Sequence, residues 1–323
     1  MTSIPIKMRD RRRANYIASV FVSLLFVFIS TVLGFVLDRI LRTGALFTSI
    51  LSVTAALQVL FGLSVVSYVI AKILQGQPIV QSKISDWQKE TLEKILLEAR
   101  EVFNYTYDVR LFIMPHYSIN ALSVGIHKHE HLILVTLGAV EKLSDNQLRG
   151  LIYHEMFHIK HGDTDYLTCL SGTFGAPFLV YTLALESLRN VRKRLKKHND
   201  EVHKKLVSRM LLSIFVLVLT TLMKPVGLLS NLFVNPKKDL EVDLQVASMV
   251  GVQHYAAILE RILSDCVPLT QNYFFIRHLF FSHPNCKDLR KKKLNNLISA
   301  YPSIQERIDS VRLLERKEGS EGN

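Results

Sequence analysis

The chain has 323 residues, 49% of them apolar, yet it carries a formal net charge of +12 and a mean hydropathy of +0.20. A soluble domain would have to hide that much apolar surface, and a basic nucleic-acid binder has no use for long uncharged apolar runs, so both classes are set aside. Three scattered cysteines (Cys169, Cys266, Cys286) with no CxxC pair exclude a cysteine zinc knuckle and argue against a disulfide framework.

Residues 1–13 form a basic N-terminus with Lys7, Arg9, Arg11, Arg12 and Arg13. The run 14–36 is apolar and uncharged, about the length that crosses a ~30 Å hydrocarbon core as a helix. Gly34-Phe-Val-Leu-Asp38 is a poor small-residue cleavage site, which disfavours a signal peptide. A short turn over 38–44 leads to a second apolar run, 45–71. Neither run carries a polar stripe, so residues 14–72 are predicted to be a transmembrane hairpin rather than two buried core helices. Apolar spacing then predicts an amphipathic helix over 84–104, followed by short strands at Val109–Met114, Ala121–Gly125 and His131–Thr136, punctuated by Asn120, Gly125 and Gly138. A further helix opens near Ser144, a good N-cap with Gln147 in the capping-box position. Two more apolar runs follow, 166–188 and 206–233, separated by the very basic stretch 189–205. Residues 237–251 read as helix, the remainder as a soluble, largely helical tail, and no internal repeat is present.

The chemistry centres on His154-Glu155-Met156-Phe157-His158 inside the helical pattern. Residues four apart share a helix face, so both imidazoles can reach one metal ion. Glu155, turned by about 100° from His154, stands beside that ion, placed to act as general base and then as general acid. Two imidazoles and a carboxylate suit one zinc ion per chain, with the fourth position left for water. The bland reading, a helix with two unrelated histidines, is weakened by Leu151, Ile152 and Tyr153, which bury the helix, and by the turn at His161-Gly162 that ends it.

His161 is a candidate third ligand, but the metzincin spacing fails because His stands at 161 and Thr at 164. Acidic candidates lie in Lys238-Asp239-Leu240-Glu241-Val242-Asp243. Glu241, Gln245 and Ser248 make a polar stripe that reads as the solvent face, whereas Asp239 and Asp243 share a face with Val246 and Val250 that reads as buried. A carboxylate on a buried face needs a partner. Asp239 is therefore expected as the ligand, with Glu241 as the alternative, and Asp243 as a carboxylate that orients a ligating histidine. The competing reading is that all three offset nearby lysines on a wet surface.

Asn120-Ala-Leu-Ser-Val-Gly125, Val135-Thr-Leu-Gly138, His154-Glu-Met-Phe-His158 and His161-Gly-Asp163 together resemble the HtpX-type membrane zinc metalloproteases, relatives of the CAAX prenyl proteases. The resemblance is good over 75–165 and weaker over 225–251 and at Ser282-His283-Pro284. It implies a third ligand four residues before a helical Asp, which falls on Asp239 and Asp243; this chain has the shorter Asp where the family has Glu, with Lys238 and Leu240 replacing the family's Arg and Tyr. Asp163 is counted with Asp243 among the residues that steady the ligands. The resemblance further implies that the edge strand with Asn120, Ala121 and Gly125 binds extended substrate; Asn120 reads equally well as a turn residue. His283 reads either as an oxyanion stabiliser or as part of an ordinary His-Pro turn.

The expected architecture is mainly α with a small β-sheet (α+β): a polytopic membrane protein with a zincin-like catalytic domain split into 73–165 and 235–323 around two hydrophobic helices in 166–234. Basic residues before the first span predict a cytoplasmic N-terminus and a cytoplasmic active site, in a multi-pass protein of the plasma (inner) membrane. The expected activity is hydrolysis of membrane or misfolded proteins, with protein or peptide substrates and the lipid bilayer as partners and no nucleic acid. Two alternatives are weighed. A prenyl-protein processing enzyme would need more spans than the four at most available here, and a catalytically silent scaffold is opposed by Glu155, which has no evident structural duty.

Overall fold

The computed structural model describes residues 4–126, 130–195, 200–228, 232–235, 237–269, 276–284 and 302–321. The chain divides into two compact units: Met1–Phe21, Leu63–Cys169 and Asn231–Asn323 form the first, Val22–Gly62 and Leu170–Ser230 the second. The described residues are mostly helical, with one small mixed sheet.

In the first unit, helix α4 (Asp86–Val102) starts at a Ser85–Gln88 capping box and buries Leu92, Ile95, Leu96 and Ala99, the stripe that its spacing predicts. Strands β2 (Val109–Met114), β3 (Ala121–Gly125) and β4 (His131–Thr136) fall on the predicted residues, and a two-residue β1 (Gln77–Pro78) was not predicted. The sheet order is β1-β2-β4-β3, with β2 and β4 parallel and the other pairs antiparallel. The strands read as apolar runs because both faces are covered. Leu111, Ile113, Ile133 and Val135 face one core with α4 and α6 (Asp145–His161). Phe112, Met114, Leu132 and Leu134 face another with Val66, Ile70 and Ala71 of α3 (Leu63–Ile73). Helices α10 (Lys237–Val250), α11 (Val252–Ser264) and α12 (Ile304–Glu321) complete the first core through Val242, Val246, Tyr255, Ile258, Ile304 and Ile308.

Helix α1 (Ile4–Leu41) contains the first apolar run. In the second unit its end is fixed by Asp38, whose carboxylate accepts from Thr43 Oγ1 (2.6 Å), Phe47 N (2.9 Å), Thr48 N (2.8 Å) and Thr48 Oγ1 (2.7 Å). Gly34 lets α2 (Leu46–Leu57) approach closely, since a Cβ there would lie 2.6 Å from Phe47 O. The second apolar run departs from expectation. A π-helical turn, Gln58–Gly62, breaks it into α2 and α3 instead of one straight span. A second π turn, Ser171–Gly175, precedes α8 (Ala176–Leu195), and Gln58 Nε2 donates to the freed carbonyls of Gly172 (2.9 Å) and Thr173 (2.7 Å). Helix α9 (Asp200–Leu228) packs along α8, and residues 196–199 of the basic stretch lie outside the described residues.

Among the described residues one helix, Arg11–Leu41, is long and apolar enough to cross a membrane; a second span is obtained only if α2 and α3 count as one bent span. The region 206–233 contributes the shorter apolar stretch Leu206–Val218. Helix length therefore supports one span, or two if the bent pair counts as one, within the expected hairpin, and no full span among the described residues of 166–233. Of the cysteines among the described residues, Cys169 is buried and outside any disulfide, whereas Cys266 is disulfide-bonded.

Candidate metal centre

Helix α6 is built to hold its face still. Gln147 Oε1 accepts from Ser144 N at 2.9 Å at its start, and Gly162 ends it in the left-handed region (φ +73°), where a residue without Cβ is unstrained. Leu151, Ile152, Met156 and Ile159 are fully buried, so the helix cannot roll, and His154 and His158 project together with ring centroids 4.7 Å apart.

Helix α10 brings Asp239 to the same point. Ligand atoms of His154, His158 and Asp239 all lie within 4.8 Å of one another. His154 Nε2 and His158 Nε2 are 3.1 Å apart, and His158 Nε2 is 3.5 Å from an Asp239 carboxylate oxygen. A tetrahedral zinc with bonds of ~2.0–2.1 Å has ligand–ligand edges of about 3.3–3.4 Å, so these separations fit. The hydrogen bonds on the far side of each ring give the same answer. Tyr255 OH donates to Asp243 Oδ1 (2.6 Å), so its oxygen accepts from His154 Nδ1 (2.8 Å). Asp163 accepts from His158 Nδ1 at 3.3 Å. Both Nδ1 atoms therefore carry the proton, and both Nε2 lone pairs point into the shared space. Two lone pairs converging beside a carboxylate need a cation, and this donor set suits zinc.

The supporting carboxylates are themselves held. Asp243, fully buried, takes a two-pronged contact from Arg307 of α12 (Nε to Oδ2 2.6 Å, Nη2 to Oδ1 2.7 Å), and Arg307 Nη1 donates to Phe281 O at 2.5 Å. Burial alone would raise Asp243, but the Arg307 charge and the bonds from His154 and Arg307 outweigh it and hold the carboxyl well below its usual range. Asp163 is held low in the same way by His158, Lys238 and Arg11 against its burial. Burial drops His154 to about 3, keeping it neutral. His158 goes the other way: burial disfavours its charge, but Asp163, Asp239 and Glu155 raise its pKa.

Glu155 is buried against the cavity, pushed up to about 7 by desolvation, with Ser123 as a hydrogen-bond partner. Desolvation likewise lifts Asp239 to about 6. These groups, with His278, Phe280 and Phe281, line a cavity of about 20 Å³, the scale of one water molecule.

The remaining predicted residues are dispersed. Glu241 is 69% exposed and paired with Arg11 at 3.1 Å, outside the cluster. His161 Nδ1 donates to Phe157 O (2.7 Å), and the ring stacks on that of Phe157. His283 lines a separate hollow with Asn120 and Asp265, whereas His278 lines the cavity beside His154 and His158. Asn120 clamps Ser282 from both sides (Nδ2 to Ser282 O 2.8 Å, Oδ1 from Ser282 N 3.1 Å), while Ala121 O accepts from Phe281 N at 2.7 Å. The edge of β3 at 120–122 is thus engaged by 280–282. Gly125 makes room for the buried His131 ring, which a Cβ would meet at 2.2 Å. Sequence reasoning missed Tyr255, Arg307, Arg11, Asn15 and Ser123. One signal was available for Arg307: it stands inside the apolar stripe Ile304, Ile308, Val311, where a charge demands a buried partner.

Residues 86–314 match peptidase family M48. The chain is 23% identical over 256 residues to Protease HtpX of Baumannia cicadellinicola subsp. Homalodisca coagulata, covering 76% of this chain and 81% of that protein. It is 23% identical over 254 residues to Protease HtpX of Pseudomonas paraeruginosa (75% and 78% covered) and 22% identical over 248 residues to Protease HtpX homolog of Neisseria gonorrhoeae (76% and 80% covered). No solved structure matches the chain.

Proposed function

The chain belongs to peptidase family M48 as an HtpX-type metalloprotease, and from that premise we propose that it is a zinc endopeptidase whose ion is held by His154, His158 and Asp239. The observation that carries this reading is the convergence of the two Nε2 lone pairs and one carboxylate within 4.8 Å, with both Nδ1 atoms committed elsewhere.

When bound, zinc supplies the Lewis acidity that activates water and polarises the scissile carbonyl. Glu155 takes the proton from the attacking water at its carboxylate and hands it to the departing amine nitrogen. A carboxyl raised to about 7 by burial suits a group that must accept and release a proton near neutral pH. Ser123 orients that carboxylate, and Asp243 and Asp163 keep the two rings in register for the ion. His283 has no part in this scheme, given its separate hollow. A peptide pairing along β3 would have to displace 280–282 from residues 120–122.

The substrates we assign are membrane or misfolded proteins reached at the cytoplasmic face of the plasma (inner) membrane. Support comes from the apolar helix Arg11–Leu41 and the basic residues that precede its uncharged run. Purified wild type and Glu155→Gln, in mild detergent with zinc and an unfolded protein substrate, test the reading. Cleavage by wild type alone, with zinc bound by both, is expected. Equal cleavage by both would remove Glu155 from the chemistry, and a wild type that neither cleaves nor binds zinc would defeat the proposal.

A further inference from the structure

Asp163, next after the left-handed Gly162, accepts from more donors than a turn position requires. Its Oδ2 accepts from Arg11 Nη2 at 2.7 Å and from His158 Nδ1 at 3.3 Å. Its Oδ1 accepts from Asn15 Nδ2 and from Lys238 Nζ, both at 2.8 Å. The side chain is 1% exposed, so the carboxylate that accepts these contacts stands out of water. Asn15 also donates to His161 O at 3.0 Å, and Lys238 Nζ donates to Asn15 Oδ1 at 2.8 Å. The result is a closed ring of contacts: Asn15 grips both the end of α6 and the Asp163 carboxylate, and Lys238, the residue preceding Asp239, ties that carboxylate to the start of α10.

Arg11 and Asn15 stand four apart on one face of α1, where the apolar helix begins. We propose that they are positioning residues of the metal centre: the base of the N-terminal apolar helix fixes the Asp163 carboxylate, and through it the His158 ring and the start of α10. The inference rests on the zinc reading above.

The Nδ1 contact of His158 is the longest of the four that Asp163 accepts, so it depends on where the other three hold the carboxylate. Without Arg11 and Asn15, Asp163 would keep one cation, Lys238, and would be free to turn toward it and away from His158. Groups that orient a ligating histidine typically change metal affinity about 10–100-fold when removed. The helix that anchors the chain is thereby also a strut of its active site, so that losing it would cost the metal as well as the membrane.

The test is zinc affinity of the purified full chain in mild detergent, by competition with a chromophoric chelator, with the visible absorption of the cobalt-loaded protein as a report on ligand geometry. Arg11→Ala and Asn15→Ala are expected to bind zinc about tenfold or more weakly, with altered cobalt absorption. Arg11→Lys is expected to recover most of the loss. Arg13→Ala removes the same charge from an exposed position of the same helix and is expected to bind as wild type does. Wild-type affinity in both alanine variants, even with a lower melting temperature, would reduce the cluster to a structural ion pair and overturn the inference. So would an equal loss in Arg13→Ala. If Arg11→Ala does not fold, Asn15→Ala and Arg11→Lys decide alone. A wild type that binds no zinc overturns the zinc reading itself, an outcome distinct from unchanged affinity in the variants.

Discussion

Asp239 and Asp243 stand one helical turn apart on α10, and their neighbours set them to different tasks. Asp239 approaches His158 Nε2 at 3.5 Å inside the cavity and is lifted to about 6 by desolvation, the condition of a carboxylate that a cation would stabilise. Asp243 already has its cation, the fork of Arg307, and spends its remaining acceptor capacity on Tyr255 and the His154 side. Arg307→Met is therefore expected to destabilise the fold by about 3–5 kcal/mol, because it strands a buried carboxylate. Arg307→Lys should recover little, since an ammonium cannot reproduce the two parallel bonds. Chemical unfolding of the two variants against wild type measures this, and a loss below about 1 kcal/mol in Arg307→Met would mean that Asp243 does not depend on the pair. The sequence made part of this centre readable. His154 and His158 share a face by spacing alone, and the apolar neighbours Val246 and Val250 mark the buried face of α10. Arg307, Tyr255, Arg11 and Asn15 could not be found that way, because their partners are brought to them by folding across intervals of 64, 12, 152 and 148 residues in turn.

The elements of the first unit were legible because their signals are local. Ser85–Gln88 and Ser144–Gln147 start helices, and strands β2 to β4 are bounded by turn residues and filled with β-branched and apolar side chains. The break between α2 and α3 was not, because an uncharged apolar run reads the same whether a π turn interrupts it or not. Glycines discriminate between positions where the backbone itself is close and those where a side chain can yield. A Cβ on Gly138 would lie 2.2 Å from Tyr117 O, while Gly138 N donates to His116 O at 2.8 Å, so neither strand of backbone can retreat. A Cβ on Gly150 of α6 would meet side chains rather than backbone: the end of Ile258 at 2.9 Å, the Tyr255 ring at 3.3 Å and Val250 at 3.4 Å. Gly138→Ala should therefore cost about 1–3 kcal/mol or more. Gly150→Ala should cost less, with about 0.5–1 kcal/mol of helix preference offsetting part of the shift of Ile258 and the Tyr255 ring. Melting temperatures of the two variants check the ordering, and an equal loss in both would contradict it.

At the scale of the whole molecule, the candidate metal cluster constrains the membrane placement proposed above. His158 and Asp239 meet at one point, so the number of full crossings between them is even. Two crossings would place the stretch 189–209 outside, with nine basic residues (189, 192, 193, 194, 196, 197, 204, 205, 209), against the positive-inside tendency. Zero crossings leaves α8 and α9 as a hairpin at the membrane face, its basic loop on anionic head groups. Among the described residues of 166–233, only the short stretch Leu206–Val218 is apolar in the manner of a span, and the π turn Ser171–Gly175 interrupts the approach to α8, both of which favour zero. A cysteine placed at Asn199 should then be closed to a membrane-impermeant thiol reagent in intact cells and open to it after permeabilisation. A cysteine at the exposed Ala45, in the turn after the first span, should label in intact cells, which confirms that the reagent reaches the outer face and that the N-terminus lies inside. Labelling at both positions would instead make α8 and α9 a second transmembrane pair. Labelling at Asn199 but not at Ala45 would invert the orientation and move the active site to the outer face.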